Sequence, residues 1–207
     1  VTDDMPFLVD SVRAELQQMG RGIHEVIHPV MTVERDATGS LREVLGEASE
    51  TRGESANVVG AIPESWIHLE IDRESDAPDR EEIVTRLRAV LSDVREAVED
   101  WSKMRERARE VAENLRANPP AAVPAAEVTQ AADLLEWLAD NHFTFLGCRD
   151  YDLGEVPAGT GLVPVPGTGL GLLRPDPPMN ADRPALTGAV LAKAREPRAL
   201  FVTKANS

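Results

Sequence analysis

The feature that most constrains this chain is an apolar rhythm in its middle. Leu87, Val90, Val94, Ala97, Trp101, Met104, Ala108, Val111 and Leu115 follow one another at steps of three and four. That is a heptad seam about four heptads long. A helix from about residue 80 to 117 would run roughly 55 Å, longer than one small sheet can cover. Its second half therefore needs a partner of its own: another helix, a neighbouring domain or a second copy of the chain. Asp79, with Glu82 three places on, reads as its N-terminal signal. Mixed Arg and Glu on the remaining faces supply i,i+4 pairs.

Upstream, Asp3-Asp4-Met5-Pro6 leads into a first helix. Met5, Leu8, Val9, Val12, Leu16 and Met19 share one face, and Gly20 and Gly22 end it. Asp3 or Asp4 is placed to cap it, with Pro6 in the first turn. Residues 22–35 read as one strand interrupted by Pro29, and residues 40–63 as a long mobile connection. Trp66 to Asp72 alternate as a strand, with Trp66, His68, Glu70 and Asp72 on one face and Ile67, Leu69 and Ile71 on the other. The order helix, strand, strand, helix is that of a ferredoxin-like βαββαβ unit whose first strand is trimmed.

Residues 118–125, rich in Pro, read as a stiff linker. Beyond it come a helix over about 126–141, with Val128, Ala131, Leu135 and Leu138 on one face, and a strand over 143–152. A Gly/Pro-dominated loop fills 154–185, followed by a short helix at 187–194 and a strand-like run at 199–204. The fold class is thus α+β. It comprises a truncated ferredoxin-like unit with a long overhanging helix over 1–117, a linker over 118–125, and a second, incomplete α+β unit over 126–207. Both ends have the look of cuts within folded units, so the chain reads as a piece of a longer protein.

Composition excludes several functions. The 36 acidic residues outnumber the 22 basic ones, for a net charge of −14. Such a surface suits neither nucleic acid nor an anionic membrane, and its plainest consequence is solubility. No apolar run approaches the span of a bilayer. Cys148 is the single cysteine, so no internal disulfide or multi-cysteine metal site is available. Its apolar surroundings suggest an inert buried thiol.

Candidate chemistry is thin. Gly167-Thr168-Gly169-Leu170-Gly171 lacks the preceding strand and following helix of a nucleotide loop, so it reads as a flexible loop. His24 and His28 are four apart on a strand, with no third ligand for a metal. His68 sits on the polar strand face, and His142 at a helix end, where a cap-like role fits. No catalytic, cofactor or metal residues emerge. The turn Asp3, Asp4, Met5, Pro6, Phe7 and Leu8 carries one binding hypothesis, since a helix N-terminus offers free N–H groups to a carboxylate. The competing reading is that an aspartate caps the helix and fills that place. The seam residues Leu87, Val90, Val94, Trp101, Met104, Val111 and Leu115 carry an interaction hypothesis.

Three ordered words resemble the N-terminal region of the large bacterial NAD-specific glutamate dehydrogenases. They are Asp3-Asp4-Met5-Pro6-Phe7-Leu8-Val9-Asp10-Ser11-Val12, Trp66 to Asp72, and Leu135-Glu136-Trp137-Leu138-Ala139-Asp140-Asn141-His142-Phe143-Thr144-Phe145-Leu146-Gly147. The closing Thr203 to Ser207 fits the same region. The resemblance implies ACT-like and PAS-like regulatory modules, with the NAD-dependent catalytic domain elsewhere in the parent chain. It also implies a cytoplasmic homo-oligomer, contacts with other domains of the same chain, an amino-acid effector, and glutamate oxidation in amino-acid catabolism as the parent reaction. Where ACT modules place a Gly at the helix entry, this chain has Phe7, whose bulk would close a ligand pocket. The expected role is a non-catalytic regulatory or oligomerisation segment. An amino-acid-sensing module and a helical scaffold for subunit contacts are the alternatives.

Overall fold

A computed structural model describes residues 1–48, 60–178 and 184–196. The chain divides into two compact units, Val1–Val98 and Glu99–Ser207. The run at 199–204, expected as a strand, lies outside the described residues.

In the first unit, β1 (Thr2–Asp3) precedes helix α1 (Leu8–Gln18). The strand expected over 22–35 is two strands, β2 (Ile23–Ile27) and β3 (Val30–Arg35), which enter different sheets. The change falls at His28-Pro29, where proline has no N–H to give a ladder. The stretch expected as a mobile connection contributes β4 (Leu41–Glu47) and β5 (Ala61–Ser65). Polar side chains hid these strands, since they occupy exposed or ion-paired positions. The next strand, β6 (His68–Ile71), is shorter than its alternating pattern. One sheet has the order β1-β5-β3-β4 and the other is the pair β2-β6, with every pairing antiparallel. A bond from the Trp66 N–H to the Pro29 carbonyl, 3.0 Å, joins the two bends.

The core of this unit is made by Val12 and Leu16 of α1 and by Ile83 of helix α2 (Ala77–Glu99). Met19, Ile23, Leu69, Ile71, Leu87 and Leu91 pack around them. The period-two reading of β6 thus holds for its apolar face. Helix α2 begins at Ala77, so Asp79 lies inside its first turn. Arg86 ties α2 to Glu15 of α1, and Arg95 ties it to Asp3 of β1.

The long helix is interrupted. Helix α3 (Trp101–Ala117) starts after Asp100, whose φ of −98° and ψ of 3° leave helical geometry. Asp100 is buried, with its carboxylate bonded to a distant turn and to the Lys103 side chain rather than to the N–H groups of the helix start. The run is thus two helices, α2 and α3. The division between units therefore falls at Val98/Glu99, ahead of the Pro-rich segment. Helix α4 (Ala125–Trp137) packs on α3 through Ala108, Ala112, Ala132, Leu135 and Ala139. Arg116 meets Asp133 and Glu136 while Arg109 meets Asp140, so the two helices run antiparallel. After a wide turn at Leu138–His142, the strand expected over 143–152 resolves into β7 (Gly147–Cys148) and β8 (Tyr151–Val156). β8 pairs with β9 (Gly159–Pro164), and β7 with β10 (Leu170–Gly171). Helix α5 (Gly188–Ala194) follows.

Candidate functional site

The opening turn gathers the residues singled out from sequence, but the two aspartates do not cap α1. Phe7 is the N-cap residue, without a side-chain capping bond, and the helix begins at Leu8. Asp3 lies in β1, where its Oδ2 accepts from Arg95 Nη1 at 2.6 Å. Asp4 accepts at Oδ1 from the Ser65 hydroxyl at 2.6 Å. Pro6 precedes the helix, and Met5 lies outside it. Leu8 is buried beneath.

Phe7 has φ 71° and ψ −2°, the left-handed region. A bulky L-residue there sets Cβ against the backbone at a cost of roughly 1–2 kcal/mol. This is the place where the ACT pattern would put glycine. The backbone here keeps a conformation suited to glycine while the side chain is phenylalanine, with 41% of its surface exposed.

Sequence reasoning missed two polar groups carried by β5, one around Ser65 and one around Glu64. Ser65 and Glu64 are buried. Ser65 Oγ donates to Asp4, and His28 Nε2 lies 3.0 Å from the same oxygen. With its one proton given to Asp4, the hydroxyl is the acceptor from His28. His28 therefore cannot serve as base toward Ser65, and the trio is not a nucleophilic triad. Glu64 pairs with the Arg35 guanidinium, with Arg35 Nη2 at 2.9 Å from Oε2, and accepts from Trp66 Nε1 at 3.1 Å. The Arg35 bond holds the Glu64 carboxyl below its ordinary value against the effect of burial, and Trp66 adds to it. Arg35 meets Glu64 through the pairing of β3 with β5, in the register Val30↔Ser65 and Met31↔Glu64, while Asp4 reaches Ser65 beside the pairing of β1 with β5. No local spacing in the sequence announces that register.

The other candidates fall into place singly. His24 pairs with Asp72 at 2.9 Å, and His68 lies 3.9 Å from Glu70. His142 Nδ1 is 2.9 Å from the Trp137 carbonyl, and its ring stacks on Trp137 at 4.4 Å. Burial pushes the Cys148 thiol up, with nearby Asp150 adding, which disfavours a thiolate. Among the described residues, no group of three His, Cys, Asp or Glu could hold a metal ion. Nor is any helix there long and apolar enough to cross a membrane.

The Gly-rich segment is not a loose loop. Arg149, with 2% of its side chain exposed, donates to Asp176 Oδ1 at 2.6 Å and to the Leu173 and Pro175 carbonyls. A Cβ on Gly169 would stand 2.0 Å from the Leu173 carbonyl oxygen. The seam residues Leu87, Val111 and Leu115 pack against clusters of their own units, and Val94 and Met104 are buried. Val90 and Trp101 are half-buried.

Residues 1–87 match the family model described as "Glutamate dehydrogenase, ACT1 domain". The first unit is an ACT-like domain. It resembles the N-terminal region of the NAD-specific glutamate dehydrogenases. The chain is 39% identical over 181 residues to the NAD-specific glutamate dehydrogenase of Halomonas elongata, covering 87% of this chain and 11% of that protein. With the enzyme of the same name from Pseudomonas aeruginosa it shares 38% over 171 residues, 83% of this chain and 10% of the relative. With that of Mycobacterium tuberculosis it shares 29% over 162 residues, 75% and 10%. The chain thus spans about a tenth of the length of the curated relatives it matches.

Proposed function

We propose that this chain is a non-catalytic regulatory and assembly segment of a large, cytoplasmic, NAD-dependent glutamate dehydrogenase. The parent reaction would take L-glutamate, NAD and water to 2-oxoglutarate, ammonia and NADH, at a site outside these residues. The observation that carries this reading is the match of residues 1–87 to the ACT1 domain model, within an alignment confined to about a tenth of each relative. The geometry agrees with it. The carboxylates of the opening turn and of Glu64 are committed to bonds inside the unit. The second unit is a PAS-like partner module in this reading, and the oligomer is built from copies of the parent chain.

The test is turnover and nucleotide binding by the 207-residue chain alone. The expected result is no NADH formation from glutamate and no saturable NAD binding; either one observed would overturn the proposal.

A second reading, an amino-acid sensor, is favoured by one feature: α1 has no side-chain cap, so its first N–H groups are not answered by Asp3 or Asp4. Calorimetry with a panel of free amino acids decides it, and silence across the panel removes it. The helical scaffold has less to work with, because the seam packs within the chain. Sedimentation of Trp101→Glu against the parent sequence tests it, and an unchanged mass removes it.

A further inference from the structure

A guanidinium taken out of water needs an anion beside it. Arg149 is such a group, with only 2% of its side chain exposed. Its anion is the Asp176 carboxylate, whose Oδ1 accepts from Arg149 Nη1 at 2.6 Å. The Gly167 N–H donates to the same carboxylate, at 3.3 Å from Oδ1 and 3.1 Å from Oδ2. A guanidinium and a backbone N–H of a Gly-rich turn, converging on one charged group, is the chemistry that holds small oxyanions. Here the chain supplies the anion itself.

The donors have holds of their own. Arg149 Nη2 donates to the Leu173 and Pro175 carbonyls. Gly169 lets the guanidinium pass, since a Cβ there would stand 2.5 Å from Nη2. The turn that carries Gly167 is fixed by three bonds that do not involve Asp176. The Val165 N–H reaches the Asp150 carbonyl at 2.9 Å, the Asp150 N–H reaches the Thr168 hydroxyl at 3.1 Å, and that hydroxyl donates to the Val165 carbonyl at 2.8 Å. Gly167 has φ +73°, and a Cβ there would meet nothing within 4 Å, so the space at its side is open. Asp176 is placed differently. Its side chain is 48% exposed, within a run of exposed residues over 172–178. The cation is buried and braced, while the anion sits at the surface.

We propose that Arg149 and the Gly167 N–H form a binding site for a small oxyanion, a carboxylate or phosphate group, which Asp176 fills from within and which an external anion takes by displacing it. The exchange keeps the charge of Arg149 balanced, one anion leaving as another arrives. Donors already in place make the site preorganised. Tethered Asp176 competes at an effective concentration of about millimolar, so the parent chain binds weakly and loss of that carboxylate uncovers the site. The site lies within the second unit, and the inference does not rest on the parent reaction.

An NMR titration of the Gly167 amide in the 207-residue chain tests it, with acetate and inorganic phosphate added separately at fixed ionic strength. Asp176→Ala is expected to bind one or both about tenfold or more tightly than the parent chain, and the tighter one identifies the class. Asp176→Ala with Arg149→Met is expected to bind neither. It should fold, because both charges leave together. Binding that survives the loss of Arg149 overturns the proposal, as does a silent Asp176→Ala. A parent chain that stays silent at roughly a hundred times the midpoint of Asp176→Ala overturns it too, since the ion pair is then only structural. If either variant does not fold, Asp176→Asn and Asp176→Asn with Arg149→Lys replace them. Lysine keeps the charge but not the planar fork and should weaken binding by about tenfold; unchanged binding there overturns the proposal.

Discussion

Helices α2 and α3 carry one apolar rhythm but bury it against different surfaces. Along α2 the inward residues are large, with Ile83, Leu87 and Leu91 facing α1 and the β2-β6 pair. Along α3 they are mostly small, with Ala108 and Ala112 facing Ala132 and Ala139 of α4. A sheet face and a crossing helix leave hollows that long side chains fill, whereas two helices lying side by side need small residues to approach. The rhythm announces a buried face, and the size of the side chains says what covers it.

The sharpest way to break that contrast is to cut the large-residue core. Leu16→Ala should destabilise the first unit by about 2–5 kcal/mol, the cost of a cavity where collapse is incomplete. Calorimetry should show one transition falling while the melting of the α3-α4 pair stays put.

The polar layer of the same unit comes next. Glu64→Gln should cost about 1.5–3 kcal/mol, since a bond to a charged group is lost in a buried place. The sign with pH follows from the depressed folded value. The Glu64 contribution is complete above the ordinary glutamate value of 4.5 and is lost as pH falls through the folded value. Urea melts at neutral and acid pH should therefore show a shallower acid loss in the variant.

The converse experiment belongs to the second unit. Ala132→Leu should cost about 1–3 kcal/mol by overpacking the helix pair, whereas Val84→Leu, at an exposed position of α2, should be nearly neutral. Equal effects would show that the α3-α4 seam is no tighter than an exposed helix position.

Smaller effects sharpen it further. Phe7→Val should lose about 1 kcal/mol, because a β-branched residue tolerates the left-handed region less well. Arg116→Gln, which removes an exposed pair with Asp133 and Glu136, should cost under about 1 kcal/mol and less in high salt.

Much of the architecture was legible because it rests on local periodicity. Val12, Leu16 and Met19 of α1 point into a core, as does the Leu69 and Ile71 face of β6. The second half of the seam, on α3, packs on α4. Other elements were not legible, for identifiable reasons. β4 and β5 carry Arg42, Glu43, Glu47 and Glu64, so they lack an apolar alternation to read. The Gly-rich turn has the composition of a loose loop, yet Arg149 and Asp100 pin it from positions 20 or more residues away. The His28, Ser65 and Asp4 contact depends on a strand register, and register is a property of two distant segments together.

The amino-acid order by itself determined where helices could form, which of their faces were apolar, and that this chain resembles the N-terminal region of NAD-specific glutamate dehydrogenases. Tertiary structure alone decided that the long run stops at Asp100, that the opening aspartates serve Arg95 and Ser65 instead of capping α1, and which carboxylates are buried. The reason is one of range. Periodicity and propensity act over a few residues, whereas a buried charge takes whichever donors the folded chain brings within about 3 Å.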